Sequence, residues 1–388
     1  MTDLPPPLDG VRVLDFSRVL AGPFCTALLA DAGADVVKVE APAGDDARHF
    51  EPRTGEESGY FLLINRNKRS VVLDLKSEEG RAVAHALARR ADIVVENFKP
   101  GVAARLGIDY ASLAAQNPRL VYASISGFGQ TGPLTDRPAY DIIAQAMSGL
   151  MSVNGSRDGP PTRVGESMGD LISGLHATWA ILAALNGARR DGRGQHLDVA
   201  MVDSLFATML TVLAQHLFTG RVPQREGNAH PLSAPLDAFQ AADGMLIIAV
   251  ANDTLFARLA SAIGKPGLAA DPRFATDAVR KANEGALKGE IEAWTGARTA
   301  VDAVAALSAV GVPASPILAI DEVVASAHAK ARGLVSSALH DALGEIPVVR
   351  QPVHFLGSGP LPCRAAPTLG ADTRDVLAEI GWPSAAAE

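Results

Sequence analysis

Short valine- and isoleucine-rich runs, each followed by a segment of helix length, constrain this 388-residue chain more than any other feature. Residues 11–16 (VRVLDF), 35–40 (DVVKVE), 70–75 (SVVLDL), 92–96 (DIVVE), 120–125 (LVYASI) and 195–200 (QHLDVA) read as strands. Near-continuous apolar runs suit strands buried on both faces, the condition of a parallel sheet covered by helices. The segments between them supply the crossovers. Ala21-Gly22-Pro23 opens the first helix, with proline in the first turn where its missing N–H leaves no bond unmade. A doubly wound, Rossmann-like α/β domain is the expectation.

The stretch Arg163 to Leu171 (RVGESMGDL) sits before a long apolar, helix-like run ending near Leu185. Two chemistries can be read from it. Gly165 to Gly169 fits the G-x-S-x-G elbow, which makes Ser167 a serine-hydrolase nucleophile with His196, His216, His230 or His354 as partner. The elbow needs a strand running straight into the serine, and Pro160-Pro161-Thr162-Arg163 makes a poor one. The other reading makes Asp170 the nucleophile at a helix start, where an acid otherwise serves as a cap or a favourable charge on the helix dipole.

Gly127 to Gly132 (GFGQTG) satisfies the dinucleotide fingerprint, which must open a helix directly after the first strand. Here it follows a late strand, and Pro133 and Pro138 come next, so the segment is expected to be a loop.

After residue 200 the pattern changes. Met201 to Phe218 reads as one apolar helix and Thr219 to Pro231 as a polar linker. Pro235 to Val250 alternates as a hairpin pivoting on Ala242-Asp243-Gly244. Helices are expected near Asn252–Ile263, Asn283–Trp294 and Val301–Gly311. A strand-like Pro347–Arg350 and a helix over Asp372–Ile380 complete the pattern. The expected layout is a large domain over 1–200, a linker helix over 201–226, a small α+β domain over 227–333, and a return segment over 334–388.

A net charge of −8 gives no general case for nucleic acid or an anionic membrane. Met1 to Gly10 has neither the basic start nor the apolar core of a signal peptide, and no apolar run is read as membrane-spanning. Cys25 and Cys363 form no disulfide framework or metal pair. A soluble, cytoplasmic protein without metal is expected.

Several segments together resemble one family. Residues 13–26 (VLDFSRVLAGPFCT), 33–40 (GADVVKVE), 65–70 (NRNKRS), 95–101 (VENFKPG) and 126–133 (SGFGQTGP) closely resemble family III CoA-transferases, the CaiB/BaiF family. Tyr140-Asp141, Gly169-Asp170, Gly192-Arg193-Gly194, Gly227-Asn228, Asp243-Gly244 and Gly311-Val312-Pro313 extend the likeness over nearly the whole chain. The resemblance implies two domains joined by two long connections and a homodimer of interlocked rings. It implies an enzyme that transfers a sulfur-containing group, with acyl-CoA and a carboxylic acid as substrates and no tightly bound cofactor. Asp170 matches the family's nucleophile, with Tyr140, Leu20 and Ala21 as neighbours. Leu73 to Lys76 match the adenosine contacts, and Asn97, Phe98 and Arg105 those of the nucleotide and pantetheine arm. Lys68 and Arg69 read as a solvated edge.

Two departures shape the expectation. Family racemases, which invert 2-methylacyl-CoA thioesters, carry a histidine where this chain has Tyr140. A phenol of ordinary pKa near 10 substitutes poorly for that proton carrier, so transfer is favoured over racemisation. Formyl/oxalate transferases carry glutamine at Leu20, which turns the reading toward succinyl-CoA and other short dicarboxylic acids. Arg18, Arg48 and Arg163 are candidates to receive a distal carboxylate. A non-catalytic CoA-binding subunit is the alternative from another class.

Overall fold

The computed structural model describes residues 4–358 and 361–383. Its largest sheet has six strands: β1 (Arg12–Asp15), β2 (Asp35–Glu40), β3 (Arg69–Val72), β4 (Ile93–Glu96), β5 (Val121–Ser126) and β6 (His196–Ala200). They lie in the order β3-β2-β1-β4-β5-β6, and every neighbouring pair is parallel. The chain leaves β1 toward one edge and restarts at β4 toward the other, which is the doubly wound arrangement.

Side chains alternate between the two faces of each strand. On one face Val13, Val36, Ile93, Val95, Val121 and Ala123 meet helices α1 (Ala21–Asp31) and, much later in the chain, Met168–Asp191. Cys25, Leu29, Ala177, Ile181 and Leu185 complete that core. On the other face Leu14, Val37, Val39, Val71, Val94 and Tyr122 pack against Val83, Ala84 and Leu87, and against Val376 and Leu377. Between these helices come α2 (Gly59–Ile64), α3 (Glu78–Ala88) and α4 (Asp141–Met147), so Met168–Asp191 is α5, followed by α6 (Met201–Thr208).

The chain divides into two compact units. One comprises Met1–Leu150, Val164–Met209 and Ala327–Glu388, the other Met151–Arg163 and Leu210–Ser326. These dividing points differ from the sequence layout. The Met151–Arg163 loop goes with the second unit because its bonds lie there. Gly227 donates its N–H to the Gly155 carbonyl, and Arg157 pairs with Glu226 and Glu284. The second unit has a three-stranded antiparallel sheet of β7 (Leu236–Gln240), β8 (Met245–Ala249) and β9 (Ala314–Pro316), with β8 central. Its first two strands are the hairpin read from the sequence. Phe239, Leu246, Ile248, Phe256, Leu259, Ile291 and Leu307 form its core.

Three sequence expectations are corrected. Met201–Phe218 is not one helix: α6 ends at Thr208, and a second helix runs over Leu210–Thr219. At the break the Thr208 hydroxyl donates to the Leu205 carbonyl at 2.7 Å, competing with the helical ladder. The tail holds two strands, β10 (Val335–His340) and β11 (Gly344–Val349), paired antiparallel. The first escaped notice because only Ala338 and His340 of it are buried. Finally, α5 is 24 residues long with a mean hydropathy of 1.3 over its most apolar window, enough by length and composition to cross a membrane. Ala177, Ala184 and Ala188 join the core that α5 shares with α1 and the sheet, and Gly174 lies directly against α1.

Candidate active site

In a doubly wound sheet the loops after β1 and β4 diverge to opposite faces and leave a crevice at the carboxyl ends of the strands. Here those loops are Ser17–Leu20 and Asn97–Gly101, and they are tied together. The Asn97 amide accepts the Arg18 N–H at 2.9 Å and donates to the Arg18 carbonyl at 2.7 Å. Beside this tie a pocket of about 190 Å³ is lined by Arg18, Lys38, Leu73, Lys76, Phe98 and Leu106, among others. The structure therefore gathers Leu73, Lys76 and Phe98 around one cavity, with Asn97 bracing its rim. Arg105 is exposed on a short helix, one residue before the lining Leu106.

Asp170 lies in the first turn of α5. The amide of Ala21, the first residue of α1, donates toward its carboxylate. The N-terminus of α1, whose first N–H groups lack partners within the helix, thus faces this acid. Glycines permit this approach. A Cβ on Gly174 would lie 2.8 Å from the Ala21 carbonyl oxygen and 3.0 Å from Phe24. One on Gly22 would lie 2.2 Å from the Ser17 Cβ. Burial, then the nearby Asp141 charge, raises the Asp170 carboxyl to about 7 against the opposing Ala21 hydrogen bond.

Asp141, at the start of α4, holds the segment that carries Asp170. It accepts the Gly169 N–H at 2.7 Å and a bond from the Gln145 amide, also 2.7 Å. Gln145 in turn accepts the Val164 N–H at 2.8 Å and donates to the Glu166 carbonyl at 3.1 Å. Tyr60, on α2, lies near Asp170, Glu166, Asp45 and Asp141, and burial followed by these charges raises its phenol. Tyr60 and Gln145 were not legible in the sequence, where neither stands in a spacing that carries chemistry. Tyr140 precedes Asp141 and is 78% exposed. Leu20 is buried at the position before α1.

Other expectations change. Ser167 precedes α5 and accepts no capping bond with its side chain, and residues 161–167 form no strand. The strained strand-to-helix turn of a hydrolase elbow is not present there. Lys68 is buried rather than solvated, paired with Asp15 at 3.0 Å and bonded to the Pro23 carbonyl and Asn65. Burial lowers its pKa to about 8 against the attraction of Asp15. Arg69 joins Asp35 and Glu379. Arg48 is buried with both arms on Glu40 at 2.7 Å, over the Phe61 ring, so it is occupied. Arg18 is exposed and pairs with Asp46 at 3.1 Å; Arg163 falls in the second unit. Among the described residues no group of three or more His, Cys, Asp or Glu is arranged to hold a metal ion.

The model of CoA-transferase family III matches residues 8–373. The chain belongs to that family. It is an enzyme that transfers CoA, and CoA thioesters are the substrates of this family. It is 43% identical to a succinate–glutarate CoA-transferase from Agrobacterium fabrum, over 98% of each chain. It is 46% identical to an acetyl-CoA:oxalate CoA-transferase from Acetobacter aceti, over 85% of each. A CAIB/BAIF family protein from Brucella suis has the same fold, with a TM-score of 0.86 and 39% identity, over 97% of this chain and all of the other. The family III assignment accords with the parallel, helix-covered sheet.

Proposed function

We propose that this enzyme moves CoA from succinyl-CoA, or another short acyl-CoA, to a carboxylic acid through an aspartyl-CoA thioester on Asp170. The observation that carries the reading is the placement of Asp170, a half-buried carboxylate facing the amide end of α1. The Asp170 oxygen attacks the donor carbonyl, the C–S bond breaks, and a mixed anhydride forms as CoA thiolate leaves. The thiolate attacks the Asp170 carbonyl carbon, releasing the donor acid and leaving the enzyme thioester. The acceptor carboxylate displaces CoA to form a second anhydride. The thiolate then takes the acceptor acyl group and frees Asp170. No net proton is consumed. This is covalent catalysis that divides one difficult exchange into steps, and the N–H groups opening α1 are donors for the oxyanions formed on the way.

The pocket lined by Leu73, Lys76 and Phe98 is read as the seat of the CoA nucleotide, with Lys76 for phosphate and Phe98 against the adenosine or pantetheine arm. For the acceptor, the Agrobacterium relative supports short dicarboxylic acids. Oxalate is a further candidate acceptor because a relative named for it is 46% identical, despite Leu20. We read the chain as an interlocked, cytoplasmic homodimer. The exposed row Leu175, Trp179 and Leu182 on α5 supports an interface, and a solution mass of one subunit would remove that reading.

The test is intact-protein mass after incubation with succinyl-CoA and no acceptor, followed by peptide mapping. A CoA adduct on the Asp170 peptide, lost in Asp170→Ala and kept in Ser167→Ala, is expected. Retained turnover in Asp170→Ala would refute the mechanism.

A further inference from the structure

The loop between β1 and α1 contains one residue in a conformation foreign to its type. Val19 has a φ of +67°, and a β-branched side chain takes up the left-handed region only where its surroundings impose it. The other described non-glycine with positive φ is Asn67, a residue type that tolerates it.

What imposes it is visible. Both carboxylate oxygens of Asp45 receive the Val19 N–H, at 3.0 and 3.3 Å. Asp45 is buried and paired with buried Lys38 at 2.8 Å. The same Lys38 ammonium donates to the Ser17 carbonyl at 2.8 Å. One ion pair therefore grips the loop at two points two residues apart, while Asn97 holds Arg18 between them. Two residues beyond Val19 stands Ala21, whose amide faces Asp170. Asp45 and Lys38 also line the pocket read as the nucleotide seat, but neither forms or breaks a bond in the steps above; together they set the direction in which α1 begins.

We propose that Asp45 is a positioning residue for the transfer reaction: fixed by Lys38, its carboxylate holds Val19 in a left-handed turn and so aims the Ala21 amide at Asp170. The proposal rests on the reading of Asp170 as nucleophile. Without the clamp, Val19 relaxes to negative φ, the first turn of α1 swings, and the donor leaves the reacting carboxyl. The strain is thus retained because it places a donor before the substrate arrives.

The experiment measures the rate of aspartyl-thioester formation after mixing with succinyl-CoA, by quench and intact mass, beside the thermal midpoint. Asp45→Ser keeps an acceptor for the Ala47 N–H but is too short to reach Val19. The rate is expected to fall about tenfold or more. Adding Val19→Gly, which takes up positive φ without side-chain conflict, restores the rate to within about threefold of the wild type. The midpoint stays lowered, because the Lys38 pair is still absent. An unchanged rate in Asp45→Ser overturns the proposal. So does a fall in rate and midpoint that Val19→Gly does not separate. Val19→Pro serves if Asp45→Ser does not fold: its ring fixes φ near −65°, and a wild-type rate in that variant overturns the proposal. Peptide mapping keeps the two readings apart, since an adduct on another residue refutes the role of Asp170 whatever Asp45 does.

Discussion

The Asp141 carboxylate that accepts the Gly169 N–H at 2.7 Å also raises the carboxyl of the next residue, Asp170. One acid thus holds the backbone of the proposed nucleophile and makes its carboxylate more basic. A basic carboxylate is the better nucleophile once deprotonated.

This coupling predicts a pH dependence. As the proposed nucleophile Asp170 must be ionised to attack, and burial with the Asp141 charge raises its carboxyl to about 7, so single-turnover thioester formation should rise with pH through that value. Asp141→Asn keeps an acceptor for Gly169 and removes the charge. The acid limb should move to lower pH, and the plateau should fall as the nucleophile weakens. Burial, the larger cause, remains, so the limb should stay above the ordinary aspartate value of 3.8. An unmoved limb would show that the Asp141 charge does not reach the reacting carboxyl.

The same group should cost the fold stability at neutral pH. Folded Asp170 keeps its proton up to about 7 while the unfolded chain releases it near 3.8. Below both values the two states are protonated alike and no penalty exists; the penalty grows between them and is complete above the higher. Asp170→Asn should therefore be more stable than wild type by roughly 2–4 kcal/mol above about pH 7, and equal to it below about pH 4. Urea unfolding at the two pH values decides this.

Lys68 and Arg18 should separate sharply. Lys68 and Asp15 are both fully buried and 3.0 Å apart, so Lys68→Met strands a carboxylate and should cost about 3–5 kcal/mol. The Arg18–Asp46 pair is exposed, and Arg18→Ala should cost less than about 1 kcal/mol of unfolding free energy. Equal losses in denaturant titration would contradict the burial of the first pair.

Gly174 tests whether helix packing governs the site. A Cβ there meets the Ala21 carbonyl at 2.8 Å, so Gly174→Ala must push α1 away from α5. We expect a loss of about 1–3 kcal/mol and a fall of tenfold or more in thioester formation. A variant with wild-type rate would separate that contact from catalysis.

The architecture was legible because its signals are local and repeated. Val36, Val37 and Val39 announce a buried strand whatever lies beside them, and Asp243-Gly244 announces the turn of the second unit's hairpin. Asp170 stands out as a candidate only through the likeness of its surroundings to a family; as an acid at a helix start it has an ordinary explanation. The clamp was not legible. Lys38 appears as one charge in a strand, Asp45 as a loop acid, and their meeting with Val19 depends on how β1 and β2 pair. Lys68 was misread for the same reason: charge in a sequence suggests solvent, and only the tertiary fold shows the carboxylate it meets.

The edge strand β3 carries a consequence for how the protein is made. Its Ser70 and Val72 amides are satisfied by the Asp372 and Thr373 side chains, and the Ser70 carbonyl receives the Asp372 N–H. An unpaired strand edge is a template for association with other chains. On the ribosome, some 300 residues must emerge after β3 before that edge is covered, and the residues that follow it, Leu73 to Lys76, wall the pocket read as the nucleotide seat. The closing of that edge is therefore a late event in biosynthesis, and until then the nascent first half carries an open strand.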